Sequence, residues 1–202
     1  MEFSFHVYNK LACDGISMAI DKLLHGKMEG AGTRLPQKNA DNPTLPIIVC
    51  IGSDLAIGDS LGPIVGSMLK FKTQGLGVFV YGTLSAPITA KEIAYMRTFL
   101  KEVHKGSPVI AIDAAVGEAG DIGLIKLNDT PILPGAGANK QLGAIGDISL
   151  MGIVAEKSIG NYGLFNTTRL NLVYTMSEII SDGLASLLWE RSQQGKNTQK
   201  QA

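Results

Sequence analysis

The chain has 202 residues, with 18 Lys and Arg against 18 Asp and Glu, 45% hydrophobic residues and 18% charged residues. This length fits one domain with a sizeable core, and the composition excludes an intrinsically disordered chain. The balanced charge, without any run of Lys or Arg, excludes the basic surface typical of nucleic-acid binders. Two cysteines, Cys13 and Cys50, cannot form a multi-bridge framework and favour a reducing compartment.

The first 46 residues predict an arm and a linker ahead of the core. A short helix is predicted over Gly15–Leu24. The stretch from Gly26 to Pro46 is rich in Gly, Asn and Pro and has few large apolar side chains, which is typical of a surface loop. We expect no secretory signal, because the first residues lack an apolar core, and no apolar run reaches the roughly 18 residues of a membrane span. We therefore expect a cytoplasmic protein without a membrane partner.

From residue 47 onward, short apolar runs alternate with helical patterns. Strands are predicted at IIVCIG from Ile47, at Val78–Tyr81 and at Val109–Asp113, and helices at Ile64–Phe71 and Thr89–His104. Strand and helix in alternation imply right-handed crossovers and a mainly parallel, doubly wound sheet with helices on both faces. The sequence thus predicts an α/β fold.

Beyond Asp113 the pattern becomes rich in glycine. DIGLIKLND predicts a strand, PILPGAGANKQLGAIGD a long loop, ISLMGIVA a buried strand, and Thr168–Trp189 a helix with one apolar stripe. The end of the chain is polar. We therefore predict a single domain over residues 47–192, followed by a polar tail over residues 193–202.

Two carboxylates are predicted at the ends of strands. Asp59 lies in the loop GSDLAIGDSLGP after the first strand, and Asp113 ends VIAID. Ligands in open α/β sheets gather at the carboxyl ends of the strands, and two close carboxylates can share one proton. Such a pair offers a general base and a general acid, or two oxygen ligands for a metal. An ordinary turn or helix cap is the alternative interpretation of either residue.

The glycine-rich loops do not match nucleotide-binding motifs. Gly58 is followed by Asp59 where a phosphate-binding loop needs Lys, and Lys140 stands where the dinucleotide fingerprint needs its third glycine. PGAGANK could instead direct backbone N–H groups and the Lys140 ammonium at an anion or a carbonyl, or it could simply be a flexible connection. The three histidines, His6, His25 and His104, are not placed to serve a catalytic triad.

The same segments carry a resemblance to known families. IIVCIGSDLAIGDSLGPIVG, VIAIDAAVGEAGDIGLIKLND and PILPGAGANKQLGAIGDISLMGI together resemble the germination protease of spore-forming bacteria. The chain also resembles the YyaC-type family of sporulation proteins and, more distantly, the hydrogenase maturation endopeptidases. The resemblance implies a three-layer α/β/α sandwich and an endopeptidase whose two catalytic aspartates fall on Asp59 and Asp113.

On this resemblance we expect peptide hydrolysis in the mother cell or forespore, with protein or peptide substrates such as small acid-soluble spore proteins. Ser53, Asp54, Gly135, Gly137, Asn139 and Lys140 are the predicted substrate-binding residues. No cofactor is expected, and a metal, if bound, would lie on Asp59 and Asp113, because the histidine ligand of the hydrogenase proteases has no counterpart after His104. A homo-oligomer is compatible with this assignment. The alternative is a peptidase fold retained in sporulation as an inactive binding or scaffold protein.

Overall fold

The computed structural model describes residues 1–30, 45–134, 142–157 and 168–199. Its strands are β1 (Glu2–His6), β2 (Ile47–Cys50), β3 (Val80–Tyr81), β4 (Val109–Gly117), β5 (Leu124–Asn128) and β6 (Ile148–Glu156). Its helices are α1 (Ala12–Gly30), α2 (Leu61–Lys72), α3 (Ile93–Val103) and α4 (Leu170–Gln199), with short 3-10 turns at Gly58–Ser60 and Ala119–Asp121. No helix within these ranges is long and apolar enough to cross a membrane.

The six strands form one sheet in the order β1-β5-β6-β4-β2-β3. Strands β3, β2, β4 and β6 run parallel, whereas β5 pairs antiparallel with β6, and β1 pairs antiparallel with β5. The prediction of a mainly parallel sheet between helical layers is confirmed. The strand predicted at DIGLIKLND is β5, one of the two antiparallel strands, because the connection from β4 over residues 118–123 is too short for the crossover that a parallel strand needs.

Helices cover the two faces of the sheet unequally. Alternate residues of the strands point to opposite faces, so Ile110 and Ile112 of β4 pack with α1, α2 and α4, while Val109 and Ala111 pack with α3. We call these the three-helix face and the one-helix face. Burying both faces gives the near-continuous apolar strands typical of a parallel sheet.

The prediction that residues 1–46 form an arm outside the domain is wrong for residues 1–30. Strand β1 pairs with β5 along its whole length, and α1 packs against α4 with Ile16 and Ile20 fully buried. Near the end of the chain, the nearly buried Arg191 donates two hydrogen bonds to Asp21 of α1, at 3.0 and 2.7 Å. Residues 31–44, the larger part of the predicted linker, lie outside the described residues.

Several boundaries also differ from the prediction. Helix α1 is longer than Gly15–Leu24, and α4 continues through Gln199 into the predicted polar tail. Polar residues without Pro can extend a helix already anchored by a buried apolar stripe, and α4 carries such a stripe. Strand β4 continues past Asp113 to Gly117, so the Asp113 carboxylate lies within the strand and not at its end.

Candidate active site

Asp113 lies in the middle of β4, so the prediction that it ends a strand is wrong. It nevertheless lies at the carboxyl end of the neighbouring strand, because β2 stops at Cys50, which pairs with Ile112. Asp113 is therefore the first residue of β4 beyond β2, while β6 accompanies β4 to Gly117. By strand alternation Asp113 points to the same face as Ala111, which is the one-helix face.

The loop that leaves β2 is fastened next to Asp113. The Ile51 N–H donates to the Ile112 carbonyl at 2.7 Å, and the Gly52 N–H donates to the Ile88 carbonyl at 2.9 Å. The Ser53 N–H then donates to the Asp59 carbonyl at 3.1 Å, which closes the loop on itself. These bonds bring Asp59 back to the strand end from which the loop departed.

Gly52 makes this closure possible. Its φ of 138° lies in a region that residues with a side chain rarely adopt, and a Cβ there would lie 2.1 Å from the Asp59 carbonyl oxygen. The backbone is packed equally closely at Gly62, where a Cβ would lie 2.0 Å from the Ile51 carbonyl oxygen. The glycines of the predicted loop therefore serve close backbone packing around Asp59.

Asp59 itself lies in the 3-10 turn that leads into α2. The Asp59 N–H donates to the Ala56 carbonyl at 3.1 Å, and the Ser60 hydroxyl donates to the Ile57 carbonyl at 2.7 Å. Helix α2 follows directly at Leu61, whose side chain is fully buried. The turn thus holds the half-buried Asp59 on a rigid connection between a buried strand and a buried helix.

The environment raises the pKa of both carboxyl groups. Burial raises the pKa of Asp59 above its ordinary value, and the Ser53 backbone N–H partly offsets this. Burial also raises the pKa of Asp113 well above its ordinary value, the negative charge of Asp59 raises it further, and the Ala114 N–H, which donates to Asp113 Oδ1 at 2.8 Å, opposes the shift. The two groups therefore interact, and Asp113 keeps its proton more strongly than Asp59 does.

The predicted substrate-binding residues fall into two groups. We call residues 51–60, between β2 and α2, the Asp59 loop. Ser53 is half-buried in this loop, where its hydroxyl accepts a hydrogen bond from the Leu55 N–H at 3.1 Å, and Asp54 is exposed. Gly135, Gly137, Asn139 and Lys140 lie outside the described residues. On either side of that segment, Ile132 and Ile145 exchange two hydrogen bonds of 3.0 and 2.9 Å on the one-helix face.

The sequence analysis overlooked an apolar pair on the Asp59 loop. Leu55 is 91% exposed and Ile57 is 38% exposed. The sequence does contain a signal for them, because two large aliphatic residues between Gly52 and Gly58 are unusual in a loop that has no helix or strand of its own.

The residues that could hold a metal at this site are Asp59 and Asp113. Across the described ranges, no group of three or more His, Cys, Asp and Glu side chains is arranged to hold a metal ion. His6 lies in β1 and His25 in α1, and His104 follows α3, where its Nε2 lies 2.7 Å from the Tyr81 hydroxyl.

Comparison with known proteins places the chain in a family. A family model described as "Protein of unknown function (DUF1256)" matches residues 33–183. The "Uncharacterized protein YyaC" of Bacillus subtilis (strain 168) is 40% identical over 139 residues, which cover 69% of this chain and 67% of that protein. The predicted similarity to the YyaC-type family is confirmed, while the relationship to proteases stays a prediction. The chain belongs to the DUF1256 family.

Proposed function

We propose that the protein is an endopeptidase in which Asp59 and Asp113 hydrolyse a peptide bond. The observation that carries this proposal is the coupled pair of half-buried carboxyl groups, in which the charge of Asp59 helps to raise the pKa of Asp113 well above its ordinary value. Perturbed carboxyl groups of this kind cluster at functional sites because burying them costs stability. The resemblance of the surrounding segments to the germination protease supports the same assignment.

The two aspartates would take different parts in hydrolysis. Asp59, which ionises first, accepts a proton from the attacking water while the oxygen bonds to the substrate carbonyl carbon. Asp113, which keeps its proton, donates it to the amide nitrogen as the C–N bond breaks and the amine leaves. Transfer of the proton from Asp59 to Asp113 then restores the starting state.

The surface beside the pair is suited to a polypeptide substrate. The exposed Leu55 and the partly exposed Ile57, on the loop that carries Asp59, would offer apolar contacts to an extended peptide. Small acid-soluble spore proteins are the proposed substrates, and the cytoplasm of the mother cell or forespore is the proposed location. Both follow from the resemblance to the germination protease.

The direct test incubates the purified protein with small acid-soluble spore proteins and follows cleavage by mass spectrometry. We expect Asp59→Asn and Asp113→Asn each to lower the cleavage rate by at least about 100-fold, the contribution typical of general acid–base groups. Asp14→Asn, which changes an exposed carboxylate at the start of α1, is the matched control and should cleave like the wild type. Equal cleavage by all four proteins would refute the aspartate mechanism.

The proposed acid and base also predict a bell-shaped dependence of kcat/KM on pH. The rate should rise as Asp59 loses its proton and fall as Asp113 loses its own, and both pKa values are raised by burial. A rate that keeps increasing with pH after Asp113 has ionised would contradict its assignment as the acid.

The second candidate is a binding or scaffold protein without turnover. The exposed apolar pair Leu55 and Ile57 suits a bound protein partner as well as a substrate. On this alternative, Asp59→Asn should fold normally and fully complement a deletion strain, whereas Leu55→Ser should not. Failure of Asp59→Asn to complement, at normal abundance, would favour the enzyme.

A further inference from the structure

A second cavity lies at the opposite end of β4 from the two aspartates. It has a volume of about 490 Å³ and lies between the end of α3 and the segments that lead into β4 and β6. Val109, the first residue of β4, lines it, and Asp113 follows four residues later, about 13 Å along the strand. The cavity is therefore separate from the candidate active site, although both open on the one-helix face.

Three of the residues that line this cavity are Lys or Arg. Arg97, Lys101 and Lys105 follow one another at intervals of four residues along and just beyond α3, and all three line the cavity. Arg97 and Lys101 lie four apart on the same side of α3, and Lys105 lines the cavity from the segment just after the helix, so the three charges lie around one cavity. The apolar floor is formed by Leu100, Val109 and Ile145, each of which is buried.

These cations lack partners in the described part of the chain. No ion pair there involves Arg97, Lys101 or Lys105. Asp147 is the acidic residue of the lining, and its Oδ2 already accepts a hydrogen bond from the Val109 N–H at 2.8 Å. The end of α3 contributes only about half a negative charge. The cavity therefore keeps an excess of positive charge that this neighbourhood does not neutralise.

The Arg97 guanidinium lies beside the backbone of Gly143, the residue before the lining segment that starts at Ala144. Gly143 has a φ of 81°, and a Cβ at this position would lie 2.3 Å from Arg97 Nη1. The guanidinium group thus occupies space that a side chain at position 143 would contest. A guanidinium group can bind two oxygens of a phosphate at once.

An exposed aromatic surface adjoins the cavity. His104 lines the cavity and its ring lies 4.7 Å from that of Phe79, which is 53% exposed. Phe79 in turn stacks on Tyr81 with an angle of 8° between the rings. A ligand whose phosphate lies between the basic side chains could place a planar or apolar body against this surface.

From these observations we propose that the cavity binds a small organic phosphate, held through its phosphate oxygens by Arg97, Lys101 and Lys105. The volume is within the range of about 300–1,000 Å³ that is usual for small-molecule sites. This binding site is independent of the proposed peptidase activity, because none of its lining residues belongs to the Asp59 loop.

Isothermal titration calorimetry at low ionic strength tests the proposal with ADP, pyrophosphate and inorganic phosphate as separate ligands. We expect ADP to bind the wild-type protein, and the double variant Lys101→Gln/Lys105→Gln to bind it at least about tenfold more weakly. The control Lys10→Gln/Lys70→Gln removes the same charge from two exposed lysines elsewhere and should bind ADP within about twofold of the wild type.

The outcomes separate the possible sources of binding. Tighter binding of ADP than of pyrophosphate supports an organic phosphate. If the organic part lies against Phe79, Phe79→Ser should reduce the difference in affinity between ADP and pyrophosphate. Equal affinity for pyrophosphate and ADP would overturn the organic part of the proposal and leave a site for free phosphates. An equal loss of affinity in both lysine double variants, or no heat with any of the three ligands, would overturn the proposal altogether.

Discussion

The two faces of the sheet differ in what they bury. The three-helix face carries a continuous apolar cluster in which Ile16, Ile20 and Leu24 of α1 meet α2, α4 and the central strands. The one-helix face has α3 and connecting segments over it, and there the sheet presents Asp113. The basic cavity also opens on this face.

This difference indicates that one face mainly stabilises the fold and the other carries the candidate sites. Apolar burial supplies most of the free energy of folding, and the three-helix face provides the larger part of it. The one-helix face holds features that cost stability, namely the half-buried Asp113 carboxyl group with its raised pKa and, at the opposite end of β4, the three cations around the cavity. We expect changes on the first face to affect folding and changes on the second to affect chemistry and binding.

The largest expected effect is that of removing residues 1–30. Helix α1 buries Ile16, Ile20, Leu23 and Leu24, and full burial of each such side chain contributes about 1.5–3 kcal/mol. Their sum is comparable to the whole stability of a typical domain, about 5–15 kcal/mol. We expect the truncated protein to show no cooperative thermal transition by circular dichroism. A folded truncated protein would contradict the assignment of residues 1–30 to the domain.

Next in size is the effect of Gly52→Ala. The backbone strain alone should cost about 1–3 kcal/mol, and the contact with the Asp59 carbonyl oxygen adds to it. Gly75→Ala is the matched control, because Gly75 also has a positive φ, of 84°, but no atom near the position of the added Cβ. Denaturant unfolding should show a larger loss in the free energy of unfolding for Gly52→Ala than for Gly75→Ala. Equal losses would show that close packing around Asp59 does not contribute to stability.

A smaller effect, of opposite sign, is expected for Asp113→Asn. Because burial and Asp59 raise the pKa of Asp113, the folded state binds this proton more tightly than the unfolded state does. The wild type should therefore lose stability as the pH rises from the unfolded pKa of the carboxyl group towards its folded pKa. At neutral pH we expect Asp113→Asn to raise Tm by about 2–4 °C, the shift that 1 kcal/mol produces at this chain length.

The gain in Asp113→Asn should disappear near pH 3, where Asp113 is protonated in both states. The exposed Asp54, on the Asp59 loop, provides a control, and Asp54→Asn should leave Tm unchanged at either pH. Scanning calorimetry at two pH values checks both expectations. A lower Tm for Asp113→Asn at neutral pH would contradict the claim that the buried carboxylate costs stability.

The smallest effect is expected for Tyr81→Phe at the edge of the sheet. Its hydroxyl lies 2.7 Å from His104 Nε2, and burial raises the pKa of Tyr81, which keeps the hydroxyl protonated. Removing it should cost about 0.5–1.5 kcal/mol in denaturant unfolding. Tyr95→Phe, at a ring that is 69% exposed on α3, should cost less than about 0.5 kcal/mol. Identical values for the two variants would show that the contact with His104 does not contribute.

Sequence reasoning predicted those elements that carry their own apolar signal. The runs at Ile47 and Ile148 and the stripe of α4 identify buried strands and a packed helix without knowledge of their partners. Strand β1 is different, because its five residues alternate at an edge and its pairing partner lies more than a hundred residues away. Such a strand becomes recognisable only when β5 is beside it.

The candidate site was predictable in part. Asp59 and Asp113 were predictable as site residues because neighbouring parallel strands bring their carboxyl ends together. That β4 continues beyond the end of β2, which places Asp113 within its strand, depends on tertiary packing. The basic cavity was not predicted. Arg97, Lys101 and Lys105 are spaced by four residues, a pattern that is also typical of a solvated helix face. The cavity forms only because Ala144, Ile145, Gly146 and Asp147 lie beside them.

Titration of the side-chain carboxyl carbons by NMR tests the central claim most directly. In the wild type we predict that both Asp59 and Asp113 titrate above the ordinary aspartate value of 3.8, with Asp113 the higher of the two. In Asp59→Asn, the pKa of Asp113 should fall, because the neighbouring negative charge is gone, but stay above 3.8, because burial remains. Ordinary titration of both groups, or an Asp113 pKa that does not respond to Asp59→Asn, would contradict the coupled acid and base.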